Sequence, residues 1–234
     1  MQLSITLIII IVTSLISLSA MNNQKMMHEM IFYPPSVNRG QWYRFFTCGL
    51  IHADLGHLGF NMLSLYFFGI GTATYAKDGP SFSGVEYSFI YVFGDKGKLI
   101  YLGMYLLALL ASLLPTYFKN RNNYHYRSLG ASGAVSAVIF AGILFNPLQG
   151  IGFFFIPVFI AGFIYAFIFL AVSQWMERRG QDNINHSAHI FGALFGLAFT
   201  YFACRYVADF NIFQYFVDVI KSASPKDFIQ FGSN

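Results

Sequence analysis

The sequence predicts an all-α, polytopic membrane protein, a bundle of six transmembrane helices with a short buried fourth helix. Three observations carry that prediction. Of the 234 residues, 56% are hydrophobic and 19% aromatic, and only 10% are charged, against about 25% charged in an ordinary soluble domain. The mean hydropathy is positive, at +0.54. The apolar residues gather into six uncharged runs, and a helix needs about 20 such residues to cross the hydrocarbon layer.

The first run, Leu3 to Ala20, ends in "SLSA", which resembles a small-residue cleavage site. No Lys or Arg precedes it as a secretory n-region requires, so it reads as a retained span. Loop one, residues 21–51, holds "YPPSVNRGQWYRFFT". Its paired prolines, Trp42, Tyr43 and phenylalanines describe a segment lying in the membrane interface. The second span, Leu55 to Tyr75, leads into loop two, whose "GPSFSGVEYSFIYVFG" is apolar enough to pack on the bilayer surface or prolong its neighbours. The third span covers Leu99 to Phe118, the fifth Ile151 to Trp175 and the sixth Ala188 to Cys204.

The fourth run stands apart. It extends only from Ala131 to Phe145 before "NPLQG" breaks it, and fifteen residues at about 1.5 Å each give about 22 Å against a hydrocarbon thickness of about 30 Å. A helix that reaches one surface must then begin beneath the other. Irregular backbone at that depth is tolerated only where protein buries it or water reaches it. The stretch "SLGASGAVSAV" therefore predicts a wet, buried pocket with the Ser132 hydroxyl at its floor.

Past the sixth span, Phe210, Phe213, Val217 and Ile220 share one helical face, which suits a surface-lying helix before a polar end. With no repeat and no low-complexity linker, the chain divides into one membrane domain, residues 1–208, and an amphipathic tail, residues 209–234. Loops one, three and five hold eight of the fourteen Lys and Arg residues and the other side six, so charge assigns no orientation. A formal charge of +4 without a basic stripe excludes nucleic acid as a partner. Cys48 and Cys204 lie in separate segments, and no disulfide framework follows from them.

Ser132 becomes a nucleophile only if a base takes its proton. His189 heads the sixth span, and an ionisable residue inside a span points to function. Gly192 and Gly196 follow it at three and seven residues and make a face that another helix can approach closely. The fourth span offers a matching face in Gly133, Ala137 and Ala141. Packing one face on the other brings His189 beside Ser132. Oxyanion donors come from the second span, where His57 and Asn61 are four residues apart and share a face. The first-turn amide of Ser132, at a positive helix end, is a third donor. His52 is off that face and reads as a structural hydrogen-bonder. Four histidines, His52, His57, His186 and His189, raise the question of zinc, but they lack the spacing and the glutamate of an HExxH helix, so no metal or other cofactor is expected. All the aspartates sit at span ends or in loops, which leaves a Ser-His dyad rather than a triad.

These motifs resemble the rhomboid family of intramembrane serine proteases. The matching residues are Trp42 and Arg44 in "QWYRFFT", His52, His57 and Asn61 in "HADLGHLGFN", "GASG" at 130–133 and "AHIFGALFG" at 188–196, in order over roughly residues 40 to 205. The resemblance implies a six-helix rhomboid bundle that cleaves transmembrane segments of other proteins near their outer ends. Ser132 would be nucleophile, His189 base, His57 and Asn61 oxyanion donors, Gly130 the shaper of the adjacent loop, and Trp42 and Arg44 the anchors of loop one in the interface. The family often has an aromatic residue four after the nucleophile, stacked under the base; here Ser136 stands there. Cys48 occupies a place where some relatives have histidine. The implied partners are transmembrane substrates and the lipid bilayer. The expected home is a bacterial cytoplasmic membrane, with the pocket opening to the outer side. The alternative from another class is a non-catalytic rhomboid-like protein that binds client helices.

Overall fold

The computed structural model describes residues 4–71, 74–76, 79–81, 84–152, 158–180 and 184–231. Helix α1 (Ile5–Met21) is followed in loop one by α2 (Gln24–Met30), α3 (Pro34–Asn38) and α4 (Arg44–Thr47). Helix α5 (Leu55–Leu65) continues through one π turn to Ile70. Helix α6 (Val85–Phe93) passes through a 3-10 turn into α7 (Gly97–Asn120). Then come α8 (Ser132–Phe145), α9 (Gly162–Arg179), α10 (His186–Val207) and, in the tail, α11 (Ile212–Ser222). Strands β1 (Thr74–Ala76) and β2 (Gly79–Ser81) pair with each other. Strands β3 (Gly150–Gly152), β4 (Val158–Ala161) and β5 (Ile229–Phe231) form an antiparallel sheet in that order.

Each apolar run holds a helix, and two bounds differ most from the sequence reading. The second ends at Ile70 rather than Tyr75, because Gly71 turns the chain with φ 67°, a conformation glycine adopts without strain. The fifth begins at Gly162 rather than Ile151: residues 150–152 and 158–161 are strands. A short apolar run does not tell a strand from a buried helix. What decides here is the tail, which returns to pair β5 with β4 and places Phe228 O on the Ala161 amide at 2.9 Å. The apolar end of loop two, expected on the bilayer surface or as a helix extension, forms α6 with Val85 and Phe89 fully buried; residues 72–73 of the second run and 77–78 and 82–83 of loop two lie outside the described residues.

By length and apolarity, two helical stretches among the described residues suffice to cross a membrane, 85–120 and 186–207. The stretches Ile5–Met21, Leu55–Ile70 and Ser132–Phe145 are apolar but shorter. Helix α8 can be short because it does not face lipid: every residue in it except Ser132 and Gly142 is buried. Helix α1 does the opposite. It turns Thr6, Thr13, Ser17 and Ala20 inward and leaves Ile11, Val12, Leu15 and Leu18 exposed, an inverted amphipathicity that suits a hydrocarbon surround. Its first turn is held by buried Glu86 of α6, whose carboxylate accepts from Ser4 Oγ (2.6 Å) and the Ile5 and Thr6 amides (2.8 and 3.0 Å). Those amides are orphan donors of a helix start, and the carboxylate also complements the helix dipole.

The closest packing is between α8 and α10. A Cβ on Gly192 would run into the Gly133 carbonyl oxygen, and one on Gly196 into that of Ala137. The two small faces read from the sequence therefore meet in the register 133 to 192 and 137 to 196. Gly133 also lies against α7, where a Cβ would overlap Ser112 Oγ.

Candidate active site

Ser132 is the first residue of α8, and the backbone just before it is tied down by loop one. Phe32 and Ser128 exchange backbone hydrogen bonds (3.0 and 3.1 Å), and the Gly130 amide donates to Cys48 O at 2.9 Å. The Ala131 amide donates to His52 Nε2 at 3.3 Å. His52 is fully buried, and that burial lowers its pKa to about 4, so its ring is neutral. With Nε2 accepting, the proton sits on Nδ1 and is donated to Ser17 Oγ at 3.3 Å. Thus one imidazole links α1 to the loop that precedes Ser132. Gly130 has φ +108°, and a Cβ there would come within 2.6 Å of His57 Cε1; only glycine lets the His57 ring lie on this loop.

His189 sits in the first turn of α10. Its Nε2 is 2.8 Å from Ser132 Oγ, within reach for proton transfer. The start of α10 is stapled on three sides. Asn185 Oδ1 caps it by accepting from the Ala188 amide (3.0 Å) and also accepts from Thr116 Oγ1 of α7 (3.1 Å). Asn185 Nδ2 donates to Ser128 Oγ at 3.4 Å. Glu177 Oε2 of α9 accepts from the Ser187 amide at 3.1 Å, while its other oxygen pairs with Lys119 Nζ at 2.9 Å. Ser132 and His189 are both half-buried.

The expected oxyanion donors come from α5. Asp54 caps that helix by accepting from the His57 amide at 2.8 Å. The His57 ring stands edge-on to His52, with centroids 4.9 Å apart. Asn61 is buried and one turn further along; it spends one amide hydrogen on His57 O at 2.9 Å and keeps a second. The hollow beside Ser132 has a volume of about 10 Å³ and is lined by Ser112, Ser128, Gly130, Gly133 and Asn185 among others. That is room for about one water molecule, a smaller space than a pocket with the serine at its floor.

Of the two expected interfacial anchors, Arg44 differs from the sequence reading. Trp42 is 55% exposed and stacks one face on Phe45 at 5.8 Å, as an interfacial residue can. Arg44 is buried rather than interfacial, donating to His28 O (2.9 Å), Ile31 O (2.7 Å) and Gln41 Oε1 (2.6 Å). A guanidinium offers five donors in a fixed fork, and loop one, short of ladder partners, uses them on its own carbonyls.

The sequence reading missed three groups. Ser112, Thr116 and Asn120 of α7 are all buried at intervals of four, a polar stripe that periodicity could have revealed inside an apolar span. Glu86, which holds the start of α1, is an unmarked residue inside the apolar stretch of loop two. Phe169 of α9 stands against the His189 ring, with centroids 6.3 Å apart at 33°, and nothing in the local sequence marks it. Among the described residues no three of His, Cys, Asp and Glu converge to hold a metal ion.

The Rhomboid domain family model matches residues 39–206. RHOMBOID-like protein 12, mitochondrial, of Arabidopsis thaliana is 30% identical over 177 residues, which cover 74% of this chain and 49% of that protein. The chain thus spans about half the length of the curated relative it matches.

Proposed function

The chain belongs to the rhomboid family, an integral membrane protein, and from that premise we propose that it is a serine endopeptidase that cuts transmembrane segments of other membrane proteins. The observation that carries this reading is the 2.8 Å approach of His189 Nε2 to Ser132 Oγ across two helices. His189 takes the hydroxyl proton as Oγ attacks the scissile carbonyl, then gives it to the leaving amine. The Ser132 amide at the start of α8, with His57 and Asn61 from α5, meets the charge on the tetrahedral oxygen. Water, activated by the same imidazole, releases the acyl group. The scheme uses no cofactor, and its partners are substrate helices and the bilayer around them.

Support for a buried substrate comes from the site's depth: both reacting residues are half-buried at helix starts, next to helices such as α1 that turn apolar faces outward. An opening toward the outer side is what the resemblance implies. The relative above is named mitochondrial, which gives the expected bacterial membrane no support; membrane integration itself holds for this chain.

The test is labelling by a fluorophosphonate in detergent. Wild type is expected to label, with Ser132→Ala and His189→Ala at background. Equal labelling of wild type and Ser132→Ala would overturn the enzymatic reading in favour of a client-binding membrane protein.

A further inference from the structure

Resting on the Ser132–His189 reading, we propose that Phe169 of α9 is a positioning residue for the base, its ring face setting the plane of the His189 imidazole so that Nε2 stays on Ser132 Oγ. The torsion that turns a histidine ring about its Cβ–Cγ bond has broad wells. Rotation swings Nε2 away from its partner while the backbone stays still, so a 2.8 Å approach needs neighbours that define the ring plane.

Among the described residues, Phe169 and His186 bring rings against His189. His186 meets it edge-on at 5.7 Å and 85°, whereas Phe169 lies at 6.3 Å and 33°, the more nearly parallel of the two. Aromatic pairs interact over about 4.5–7 Å, so a tilt of the imidazole meets the Phe169 face. On α8 the residue one turn below the nucleophile is Ser136, which is buried and has no ring to offer. The supporting ring therefore arrives from a different helix.

Phe169 is well placed to do this because it is itself held. Its ring packs on Phe140 of α8 at 5.5 Å and on Tyr165, one turn back along α9, at 5.7 Å. The rings of Phe140, Phe169 and His189 thus form a line across α8, α9 and α10. One face of α9 packs on the core through Tyr165, Ala166, Phe169 and Leu170, while the other is open, with Phe167 73% exposed. On that inward face Phe169 is the residue whose ring meets both Phe140 and His189.

The experiment measures saturation kinetics of fluorophosphonate inactivation in detergent, with melting temperature beside it. Phe169→Leu keeps an apolar side chain but removes the flat face. We expect it to melt close to wild type, with the limiting inactivation rate down about tenfold, since small misplacements of reacting groups carry large rate costs, and with the half-saturating probe concentration within about twofold. Phe169→Tyr keeps the face and is expected to restore the rate. Phe169→Met serves the same purpose if the leucine variant does not fold. Leucine or methionine reacting at the wild-type limiting rate would overturn the proposal, as would tyrosine reacting as poorly as leucine. A wild-type protein that does not label at all would instead overturn the enzymatic reading, so the two failures are distinguishable.

Discussion

Helices α9 and α10 both lie against α8, but they do so by different physics. Helix α10 closes backbone to backbone, with Gly192 on Gly133 and Gly196 on Ala137. Helix α9 meets α8 and α10 through side chains, Phe169 on Phe140 and on His189 and Glu177 on the Ser187 amide, and among its residues only Gly162 and Ser173 are buried. Backbone contact allows no play, because a single added carbon has nowhere to go, whereas a ring contact tolerates a tilt of several degrees. The difference teaches that the spacing of Ser132 and His189 is set by the seam, while the flank, on the reading proposed above, sets the orientation of the His189 ring.

The largest effect is expected at the seam. Gly192→Leu puts four carbons into space already filled by the Gly133 carbonyl, and the cost should exceed the usual overpacking range of about 1–3 kcal/mol. The variant should lose its detergent melt and its labelling; a normal melt with full labelling would dissolve the distinction between seam and flank. Next comes Asn61→Ala, on the helix that faces the reacting pair from the other side. Loss of one oxyanion donor is expected to lower turnover by about 10²-fold, read on a transmembrane substrate. Unchanged turnover would give Asn61 a packing role only. The smallest effect is expected on the outer face of α9, where Phe167→Ala should shift stability by less than about 0.5 kcal/mol and leave labelling unchanged. Set beside Phe169→Leu two positions away, it separates the inward ring from the helix that bears it; a loss at Phe167 as large as at Phe169 would mean that α9 acts as a body rather than through one side chain.

Much of the seam was legible before any coordinates. Gly133, Ala137, Gly192 and Gly196 announce themselves because helical periodicity stacks small residues at intervals of four, and two such stripes can only be used against each other. Ser132 and His189 stand out because hydroxyl and imidazole are rare at the head of apolar spans. The flank was not legible. The run before Gly162 reads as helix until β5, nearly seventy residues away, pairs with β4. Phe169 is one phenylalanine among 28, and nothing local distinguishes the one that turns inward. Arg44 was misplaced for a related reason: an arginine beside a tryptophan suits an interface, and the free carbonyls of His28 and Ile31 that draw it inside exist only once loop one has folded.

The sequence by itself determined what depends on spacing along one chain segment: the membrane setting, the helix faces, the shortness of α8 and the residue types that could react. Only the tertiary structure decided what depends on segments far apart in sequence: the 2.8 Å approach of His189 to Ser132, the Phe169 ring against His189, the buried arginine and the strand made from the tail. The reason is that periodicity is a property of one helix and is written in order along it, whereas a contact between helices is a relation among several, and its partners are named only when all of them are in place.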